Sequence, residues 1–342
     1  MKTKLIFSIL LISIIICLGM RAFSTISSQK DSKPTLKKIA TIDLPGEAGK
    51  RFDYLTIDYK HNYLLSAHLG ANVLYVIDTK TNTLVKMIMD TPGAEGVEYV
   101  QELNKVYTSN WKDHTIGVID MNKMEVIKKI PALVKPDGNA YAADFKKLYV
   151  SDERGKTLII VDVNKDEIVK SISFKSETGM PQYDSVAKKI YLNLQDENMF
   201  VVIDPKTDSI IGRYPVGDCK GNHGMAIDPE HHLAFLCCEG NDLLTVFDLD
   251  THKPIAYLKT ASDGDVVKYD PGLKRIYVAC YSGAISVFHV DDASHFSKLE
   301  DFVVQKKVHS LAVDIHTHRV YAPEQEEDGK AVSRMVIYDA IQ

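Results

Sequence analysis

Two histidines, His223 and His309, and three acidic residues, Asp53, Glu239 and Asp265, are the residues of this chain best suited to chemistry. Imidazole nitrogens combined with carboxylate oxygens bind zinc and other transition-metal ions, and the same groups act as general acids and bases. No HxxH or HExxH motif brings two histidines together along the chain. The residues can therefore act together only if the fold brings distant segments to one place.

The first 24 residues have the pattern of a secretory signal peptide. MKTK is basic, Leu5 to Gly19 is apolar, and Ala22-Phe23-Ser24 resembles a cleavage site. The apolar stretch is short for a membrane-spanning helix, so an uncleaved anchor is the lesser alternative. We expect a periplasmic or secreted protein whose mature chain has no membrane span, with residues 25–35 as a polar linker.

Composition narrows the classes of partner. The 342-residue chain is 45% hydrophobic, enough for a substantial core. Loss of residues 1–24 would change the formal net charge from −5 to −8, because it deletes three basic residues and no acid. Sequence-independent nucleic-acid binding needs clustered Lys and Arg, so we expect no nucleic-acid partner.

A hydrophobic strand motif recurs every 42 to 44 residues, as in VYTSN, LYVSD and IYVAC. Its marker positions are Leu64, Tyr107, Tyr149, Tyr191, Ala234, Tyr277 and Tyr321. A second column closes the following strand, at Asp78, Asp120, Asp162, Asp204, Asp248, His289 and Asp339. Each period holds four short strands rich in Val, Ile and Tyr, which is typical of one β-propeller blade. Seven periods predict an all-β, seven-bladed propeller of four-stranded antiparallel blades over residues 36–342.

The seventh period ends after its third strand, at VIYDAIQ. The missing strand is present at the other end of the repeats, where LKKIATID (residues 36–43) aligns with the fourth strand of the first period. We expect residues 36–43 to complete the last blade and close the ring. The alternative, an open solenoid, would need capping repeats at both ends, and the sequence shows none.

Inner-strand starts and second-strand ends meet at one mouth of a propeller channel. The inner-strand starts align as Asp53, Gly96, Asn139, Gly179, His223, Asp265 and His309, with Asn222 just before His223 and with Arg51 and Asp137 further out. The second-strand ends align as His68, Trp111, Glu153, Gln195, Cys238, Tyr281 and Gln325, with Glu239 and Glu324 beside them. Any one of these residues also suits a turn cap or a solvated loop, but their convergence favours a ligand site. We predict that it is formed by Asp53, His68, Trp111, Asn139, Glu153, Asn222, His223, Glu239, Asp265 and His309.

The candidate cofactor is a divalent metal ion bound by His223 and His309, with Asp53, Asp265 or Glu239 completing its coordination. The same two histidines offer a metal-free alternative as general bases. No other cofactor is predicted.

Four cysteines follow the predicted signal peptide: Cys219, Cys237, Cys238 and Cys280. Cys219 and Cys238 both approach the mouth, so a Cys219–Cys238 disulfide is the preferred pairing. A Cys237–Cys280 bond between neighbouring blades and four free thiols are the alternatives. No CxxC motif supports a redox role.

The repeats resemble those of the YVTN-repeat propellers of exported bacterial proteins, the YncE-like group. LYVSD, VYTSN and IYVAC are similar to the Y-V-T-N strand of that family, and VIDPKTDSIIGRYPVG is similar to its following strand pair. The resemblance covers residues 36–342 and implies the propeller fold. It implies no single function, because such propellers include binding proteins and distant lyase-like relatives.

Three functions remain open on the sequence. The first is a monomeric binding or interaction module that takes a small molecule, peptide or protein at the mouth; the absence of a GxSxG motif and of a glycine-rich phosphate loop favours it. The second is a metal-dependent lyase or hydrolase resembling streptogramin-lyase-like or lactonase-like propellers. The third, a purely structural surface protein, leaves the polar mouth unexplained.

Overall fold

A computed structural model describes residues 34–342 of the chain. The predicted signal peptide and residues 25–33 of the predicted linker lie outside the described residues. Within the described part, no helix is long and apolar enough to cross a membrane.

The described residues form 28 strands and two short 3-10 helices, Leu69–Ala71 and Ala143–Phe145. The strands of the first four blades are β2 (Leu55–Asp58), β3 (Tyr63–His68), β4 (Val73–Asp78), β5 (Thr83–Ile88), β6 (Ala94–Val100), β7 (Lys105–Asn110), β8 (Thr115–Asp120), β9 (Glu125–Pro131), β10 (Pro136–Ala142), β11 (Lys147–Asp152), β12 (Thr157–Asp162), β13 (Glu167–Ser173), β14 (Thr178–Asp184), β15 (Lys189–Leu194), β16 (Met199–Asp204) and β17 (Ser209–Pro215). The strands of the last three blades are β18 (Asn222–Asp228), β19 (Leu233–Cys238), β20 (Leu243–Asp248), β21 (Lys253–Lys259), β22 (Gly264–Asp270), β23 (Arg275–Cys280), β24 (Ala284–Val290), β25 (Phe296–Val303), β26 (Ala312–Asp314), β27 (Arg319–Glu327), β28 (Lys330–Ala340) and β1 (Leu36–Asp43).

These strands form seven four-stranded antiparallel sheets, each a blade with its first strand innermost. Blades one to six are continuous in sequence, from β2–β5 to β22–β25. The inner strands of neighbouring blades contact each other around the whole ring, including β26 of blade seven with β2 of blade one. The predicted seven-bladed propeller is confirmed.

Blade seven closes the ring with strands from both ends of the described chain. Strand β1 pairs antiparallel with β28, from Leu36 opposite Ala340 to Asp43 opposite Arg334. The predicted strand at residues 36–43 is therefore confirmed at the outer edge of the last blade.

The hydrophobic core lies between blades rather than within them. The middle strands are buried on both faces, and every residue of β19 is buried. The outer strands alternate between half-buried and exposed residues, as in β17, because only one of their faces contacts a neighbouring blade. A single blade would expose both faces of its middle strands to water, so the closed ring is the unit that buries them.

Aspartates fix the turns that separate the strands. Asp58 ends β2, and its Oδ1 accepts hydrogen bonds from the backbone N–H groups of Lys60 (2.9 Å) and His61 (3.1 Å). Asp228 does the same for Glu230 and His231 in blade five. These carboxylates stabilise the turns as Asx caps, which explains the recurring aspartates without a catalytic role.

The observed strand pairing shifts two of the predicted marker positions by one residue along the chain. The residues equivalent to Tyr107 and Tyr191 are Leu65 and Phe235, rather than Leu64 and Ala234. Phe235 is completely buried like the tyrosines, so the position selects a large core side chain rather than tyrosine itself.

Candidate functional site

Seven equivalent positions at the start of the inner strands surround one mouth of the central channel. The pairing of inner and second strands aligns Ala94, Pro136, Thr178, Asn222 and Gly264, and the next residue in each blade faces the mouth. We call these seven positions the mouth ring: Asp53, Glu95, Asp137, Gly179, His223, Asp265 and His309. Four of the seven are carboxylic acids and two are histidines.

The prediction from sequence was wrong at two of the seven positions. Blade two contributes Glu95 instead of Gly96, and blade three contributes Asp137 instead of Asn139. The same β-bulge occurs at this point of the inner strand in blades two to six, so it does not distinguish the two misplaced blades. The sequence alignment ran one residue late in blade two and two residues late in blade three.

A glycine follows the mouth ring in three blades, and it marks the correct alignment. Glu95-Gly96, Asp137-Gly138 and His223-Gly224 occupy matching positions. A Cβ atom on Gly96 or Gly224 would overlap the carbonyl oxygen of Asp137 or Asp265 in the next blade. The acid-glycine or histidine-glycine pair is therefore the sequence signal that would have located Glu95 and Asp137.

The mouth ring borders a cavity of about 330 Å³, which we call the mouth cavity. Its lining is almost wholly polar: Arg51, Asp53, Tyr54, Glu95, Lys135, Asp137, Glu153, Arg154, Glu177, His223, Glu239 and Asp265. Seven of these side chains are carboxylic acids, against two arginines, one lysine and one histidine. Such a lining suits a small, charged and hydrated ligand rather than an apolar one.

Several buried polar atoms at the mouth lack a hydrogen-bond partner among residues 34–342. They are Asp53 Oδ2, Glu95 Oε2, Asp265 Oδ1 and His309 Nε2. Asp53, Glu95 and His309 are each less than 5% exposed. Buried polar groups are nearly always satisfied in folded proteins by protein groups, water or ligands. The atoms of Asp53, Glu95 and Asp265 line the mouth cavity, and that of His309 lines the adjoining depression, so a bound ligand or water at the mouth would satisfy them.

His223 is the central side chain of the mouth. Its Nε2 lies 2.8 Å from the hydroxyl of Tyr54 and 3.7 Å from Asp265 Oδ1. Burial alone would lower its pKa, but Glu239, Asp265 and other acids outweigh that effect and raise the pKa to about 9. His223 is thus held as a cation in the free protein, stabilised by the acids around it.

His309 behaves in the opposite way. Its Nε2 lies 3.8 Å from Asp53 Oδ2, and Arg51 lies 3.4 Å from the same oxygen. Burial, with the positive charges of Arg51 and His223, lowers the pKa of His309 to about 3. His309 is therefore a neutral imidazole that can accept a proton, a hydrogen bond or a metal bond.

Lys135 partly neutralises the acids on one side of the cavity. It forms an ion pair with Glu153 and lies 3.6 Å from Glu95 and 3.9 Å from Asp137. Burial lowers the pKa of Lys135, but the three acids outweigh this effect and hold the pKa above its usual value. On the opposite side, Glu239 forms no ion pair with any described residue.

The remaining positive charge does not balance the acids. Burial, followed by neighbouring acids such as Asp137, raises the pKa of Glu95 well above its usual range. Burial also raises the pKa values of Asp53 and Asp265 to about 7, against the opposing effects of Arg51 and His223. Burial makes ionisation of these carboxyl groups unfavourable, so a bound cation would stabilise their charged forms strongly.

Two groups of three side chains are close enough to hold a metal ion. One is Asp137, Glu153 and His223, and the other is His223, Glu239 and Asp265; in each, the ligand atoms lie within 4.8 Å of one another. Both groups include His223 and neither includes His309. The predicted His223–His309 pair is in neither group, because His309 lies beyond blade six and faces Asp53, and that pair stays a prediction.

The mouth cavity continues into a shallower depression of about 640 Å³ above blades five to seven. Arg51, Glu239 and Asp265 border both spaces. The floor of the depression includes His309 and the ring of Tyr281, which meet edge to face at 6.0 Å. A ligand with a cationic group in the mouth cavity therefore has room for a larger part above it.

His68 was predicted in the site, but it belongs to the core of blade one. Its ring stacks on Phe52 at 3.7 Å, and its two nitrogens lie 3.1 Å from Tyr75 Oη and from the Lys50 carbonyl. Burial lowers its pKa to about 4. In blade one, Leu69, the residue after His68, is equivalent to Glu153 of blade three and Glu239 of blade five.

Trp111, Asn139 and Asn222 also lie outside the mouth cavity. Trp111 folds back over Gly93 in its own blade. The Asn139 amide contacts Ser109 Oγ at 2.5 Å between blades two and three, and Asn222 Nδ2 donates to Asn193 Oδ1 at 2.9 Å between blades four and five. The last two side chains hold neighbouring blades together, because one residue of shift turns a side chain from the channel to the blade interface.

The other predicted residues meet at the mouth: Asp53, Glu153, His223, Glu239 and Asp265 line the cavity, and His309 lines the adjoining depression. The sequence analysis missed Tyr54, Glu95, Lys135, Arg154 and Glu177, and it placed Arg51 and Asp137 outside the predicted set. Apart from the glycine pairs, no local motif distinguishes these residues from surface charges.

Cys219 and Cys238 form a disulfide with a Cα–Cα distance of 5.3 Å. This is the pairing preferred from the sequence. Cys237 and Cys280 are buried free thiols. The disulfide lies beside the loop that carries Glu239, whose backbone N–H donates to the Gly221 carbonyl at 3.1 Å.

Comparison with known proteins gives the fold and nothing finer. No protein-family model matches the chain, and no curated protein matches it. A solved structure titled "Kuenenia stuttgartiensis Hydrazine Synthase" is similar, with a TM-score of 0.74 over 87% of this chain and 98% of that chain. The chain is a seven-bladed β-propeller. At 13% sequence identity, the likeness extends to the fold alone.

Proposed function

We propose that this protein is an exported β-propeller that binds a small cationic ligand in the mouth cavity, with a divalent metal ion as the best-fitting ligand. The observation that carries the proposal is the set of buried carboxylate oxygens, on Asp53, Glu95 and Asp265, that line the mouth cavity without a hydrogen-bond partner among the described residues. Arg51, Lys135 and His223 lie 3.4, 3.6 and 3.7 Å from these oxygens, and a cation bound in the cavity would contact the oxygens directly.

The better ligand set for the ion is His223, Glu239 and Asp265, and binding there would release the proton that the His223 imidazolium carries in the free protein. In the alternative set Lys135 already stands beside Asp137 and Glu153, so a second positive charge would be repelled there. A tetrahedral zinc ion with bonds of about 2.0–2.2 Å holds its ligand atoms roughly 3.4 Å apart. Small side-chain movements would bring the three groups to that spacing.

Two features support export and the family. The N-terminal 24 residues have the pattern of a signal peptide, and the Cys219–Cys238 disulfide suits an oxidising compartment. We propose membership of the YVTN-repeat propellers on the repeated strand motif. Expression of the full chain in a bacterial host, followed by cell fractionation and N-terminal sequencing, tests export. We expect a periplasmic or secreted chain starting near residue 25, and a full-length chain in the cytoplasm would contradict the proposal.

Metal binding is tested on the purified protein after dialysis against a chelator. Isothermal titration with Zn²⁺ or Mn²⁺ should show one ion per chain. His223→Gln and Glu239→Gln should each weaken binding at least roughly a hundred-fold, since loss of outer-shell partners alone costs roughly 10–100-fold. His295→Gln is the matched control, because that histidine is exposed and pairs with Asp292 far from the mouth ring. Absence of binding by the wild type, or unchanged binding by His223→Gln, would refute the metal assignment.

A second function, metal-dependent lyase or hydrolase activity, is favoured by one contact. The Tyr54 hydroxyl lies 2.8 Å from His223, so a proton donor or acceptor stands beside the candidate ion. A divalent ion in an open site polarises carbonyl oxygens and acidifies bound water. A panel of lactones and esters should then turn over only with metal present, and Tyr54→Phe should lower turnover while leaving metal affinity unchanged. No turnover with zinc, manganese or magnesium would leave the binding function alone.

A further inference from the structure

A second cavity lies in the central channel, on the far side from the mouth ring. Its volume is about 230 Å³, and we call it the channel cavity. Tyr54 borders both cavities, and together with Met180 and Val266 it belongs to one buried hydrophobic cluster. These three side chains occupy the same ring position as Gly96 and Gly224, one residue after the mouth ring. The resulting apolar layer separates the channel cavity from the mouth.

Five of the seven residues of the next ring of the inner strands line the channel cavity: Thr56, Glu98, Ala140, Gln182 and Lys268. The seven equivalent positions, each opposite the large marker residue of the second strand, are Thr56, Glu98, Ala140, Gln182, Ala226, Lys268 and Ala312. Three alanines leave the axis open. The charged members of the ring are Glu98 in blade two and Lys268 in blade six, which lie across the ring from each other.

Glu98 and Lys268 have no partner of their own. Within residues 34–342, neither side chain forms a hydrogen bond or an ion pair with another group, although both line the cavity and are at most partly exposed. Burial raises the pKa of Glu98 to about 7 against the opposing effect of Lys268, and burial lowers the pKa of Lys268 against the opposing effect of Glu98. Both groups therefore bear a desolvation cost that their mutual attraction does not offset.

Two opposite charges that face one cavity without touching are complementary to a molecule with a positive and a negative end. An anion alone would satisfy Lys268 and repel Glu98, and a cation alone would do the reverse. The cavity is smaller than the roughly 300–1,000 Å³ of pockets for drug-sized ligands, so its ligand has few non-hydrogen atoms. Gln182 and Thr56 add neutral hydrogen-bonding groups, and Tyr141 and Tyr183 add aromatic surface suited to an ammonium group.

We propose that the channel cavity binds a small zwitterion of the amino-acid or betaine class, with its ammonium group at Glu98 and its carboxylate at Lys268. This site is independent of the mouth, because the apolar layer of Tyr54, Met180 and Val266 lies between them.

The test is isothermal titration of the purified protein with glycine, L-proline and glycine betaine. Acetate and tetramethylammonium serve as singly charged probes of similar size. We expect at least one zwitterion to bind, and neither singly charged probe to match it. Glu98→Gln and Lys268→Met should each weaken binding roughly ten- to a hundred-fold, as expected for loss of a hydrogen bond to a charged group.

Two controls separate this site from other causes. Lys156→Met removes a partly exposed lysine that pairs with Asp196 on the surface, and it should leave binding unchanged. Glu239→Gln at the mouth should also leave zwitterion binding unchanged, because Glu239 belongs to the proposed metal site and not to the channel cavity. If no zwitterion binds, the proposed metal binding at the mouth is therefore not affected. Absence of binding by all three zwitterions at millimolar concentration overturns the proposal. Zwitterion binding that persists in the Glu98→Gln/Lys268→Met double variant also overturns it. If the variants change thermal stability and leave zwitterion binding unchanged, Glu98 and Lys268 form a water-bridged ion pair only, and the proposal is again overturned.

Discussion

Removal of the Cys219–Cys238 disulfide should both destabilise the propeller and weaken metal binding at the mouth cavity. The bond joins the segment before β18 to the end of β19, and it stands next to the loop that carries Glu239. The perturbation is the double replacement Cys219→Ser/Cys238→Ser, which removes the covalent link with little change in side-chain volume.

The size of the effect follows from the length of the closed loop. The two cysteines are 19 residues apart, and cross-linking a loop of this length removes entropy from the unfolded chain worth about 3 kcal/mol at 25 °C. A folded unit of roughly 310 residues has an unfolding entropy of about 0.65 kcal/mol/K near its midpoint. The melting temperature should therefore fall by about 5 °C.

The assay is thermal unfolding followed by circular dichroism, with and without reductant. Reduced wild type should melt like the double variant, and the double variant should not respond to reductant. Cys280→Ala, which removes a buried free thiol, is the control and should keep the response to reductant. Zinc titration of the same samples should show weaker binding by the double variant, because the Glu239 loop loses its covalent support.

Two results would refute this reasoning. Four free thiols in denatured, unreduced protein would show that the bond does not form. Equal melting temperatures for oxidised wild type and the double variant would show that the bond forms without constraining the chain.

Three further predictions concern the fold. Gly224→Ala should destabilise the protein by about 1–3 kcal/mol, because the new Cβ overlaps the carbonyl oxygen of Asp265; chemical denaturation measures it, and a neutral result would contradict the close approach of the two blades. His68 has a folded-state pKa of about 4, below its ordinary value, so the unfolded chain binds more protons as pH falls from about 6.5 to 4 and stability is lost across that window. Between pH 7 and pH 4, the free energy of unfolding of His68→Gln, measured by urea titration, should fall by up to about 3 kcal/mol less than that of the wild type. The nearby acid Glu47 limits the effect because it favours the charged histidine. Parallel pH profiles of the two proteins would contradict this prediction. Deletion of residues 34–43, which removes β1, should leave the edge of β28 unpaired and produce aggregation in light scattering, whereas a stable monomer would show that ring closure contributes little.

The fold was accessible from sequence because its information is repeated. Seven copies of a 42–44-residue pattern specify four strands each, and a mismatch in one copy, such as Phe235 in place of tyrosine, is outweighed by the other six. Ring closure was accessible for the same reason, because the missing strand of blade seven is visible as a surplus strand at residues 36–43.

The site was only partly accessible, because its residues depend on register rather than on pattern. The structure places His223, Asp265 and Asp53 at the mouth, as the sequence alignment did, although β18 and β22 carry the same bulge as β6 and β10. Glu95 and Asp137 were missed by one and two residues, because no residue type repeats in all seven blades at the start of the inner strand to fix the alignment there.

The sequence by itself determined the number of blades, the strand order, the closing strand and the end of the ring at which polar residues collect. These properties follow from hydrophobic periodicity and turn chemistry, which are local and repeated. Only the tertiary structure decided that Glu95 and Asp137 join His223 at the mouth, that His68 stacks on Phe52 in the core, and that Glu98 faces Lys268 across the channel. Each of these outcomes depends on one-residue shifts in strand pairing and on distances between blades, and neither quantity is encoded in any single segment of the chain.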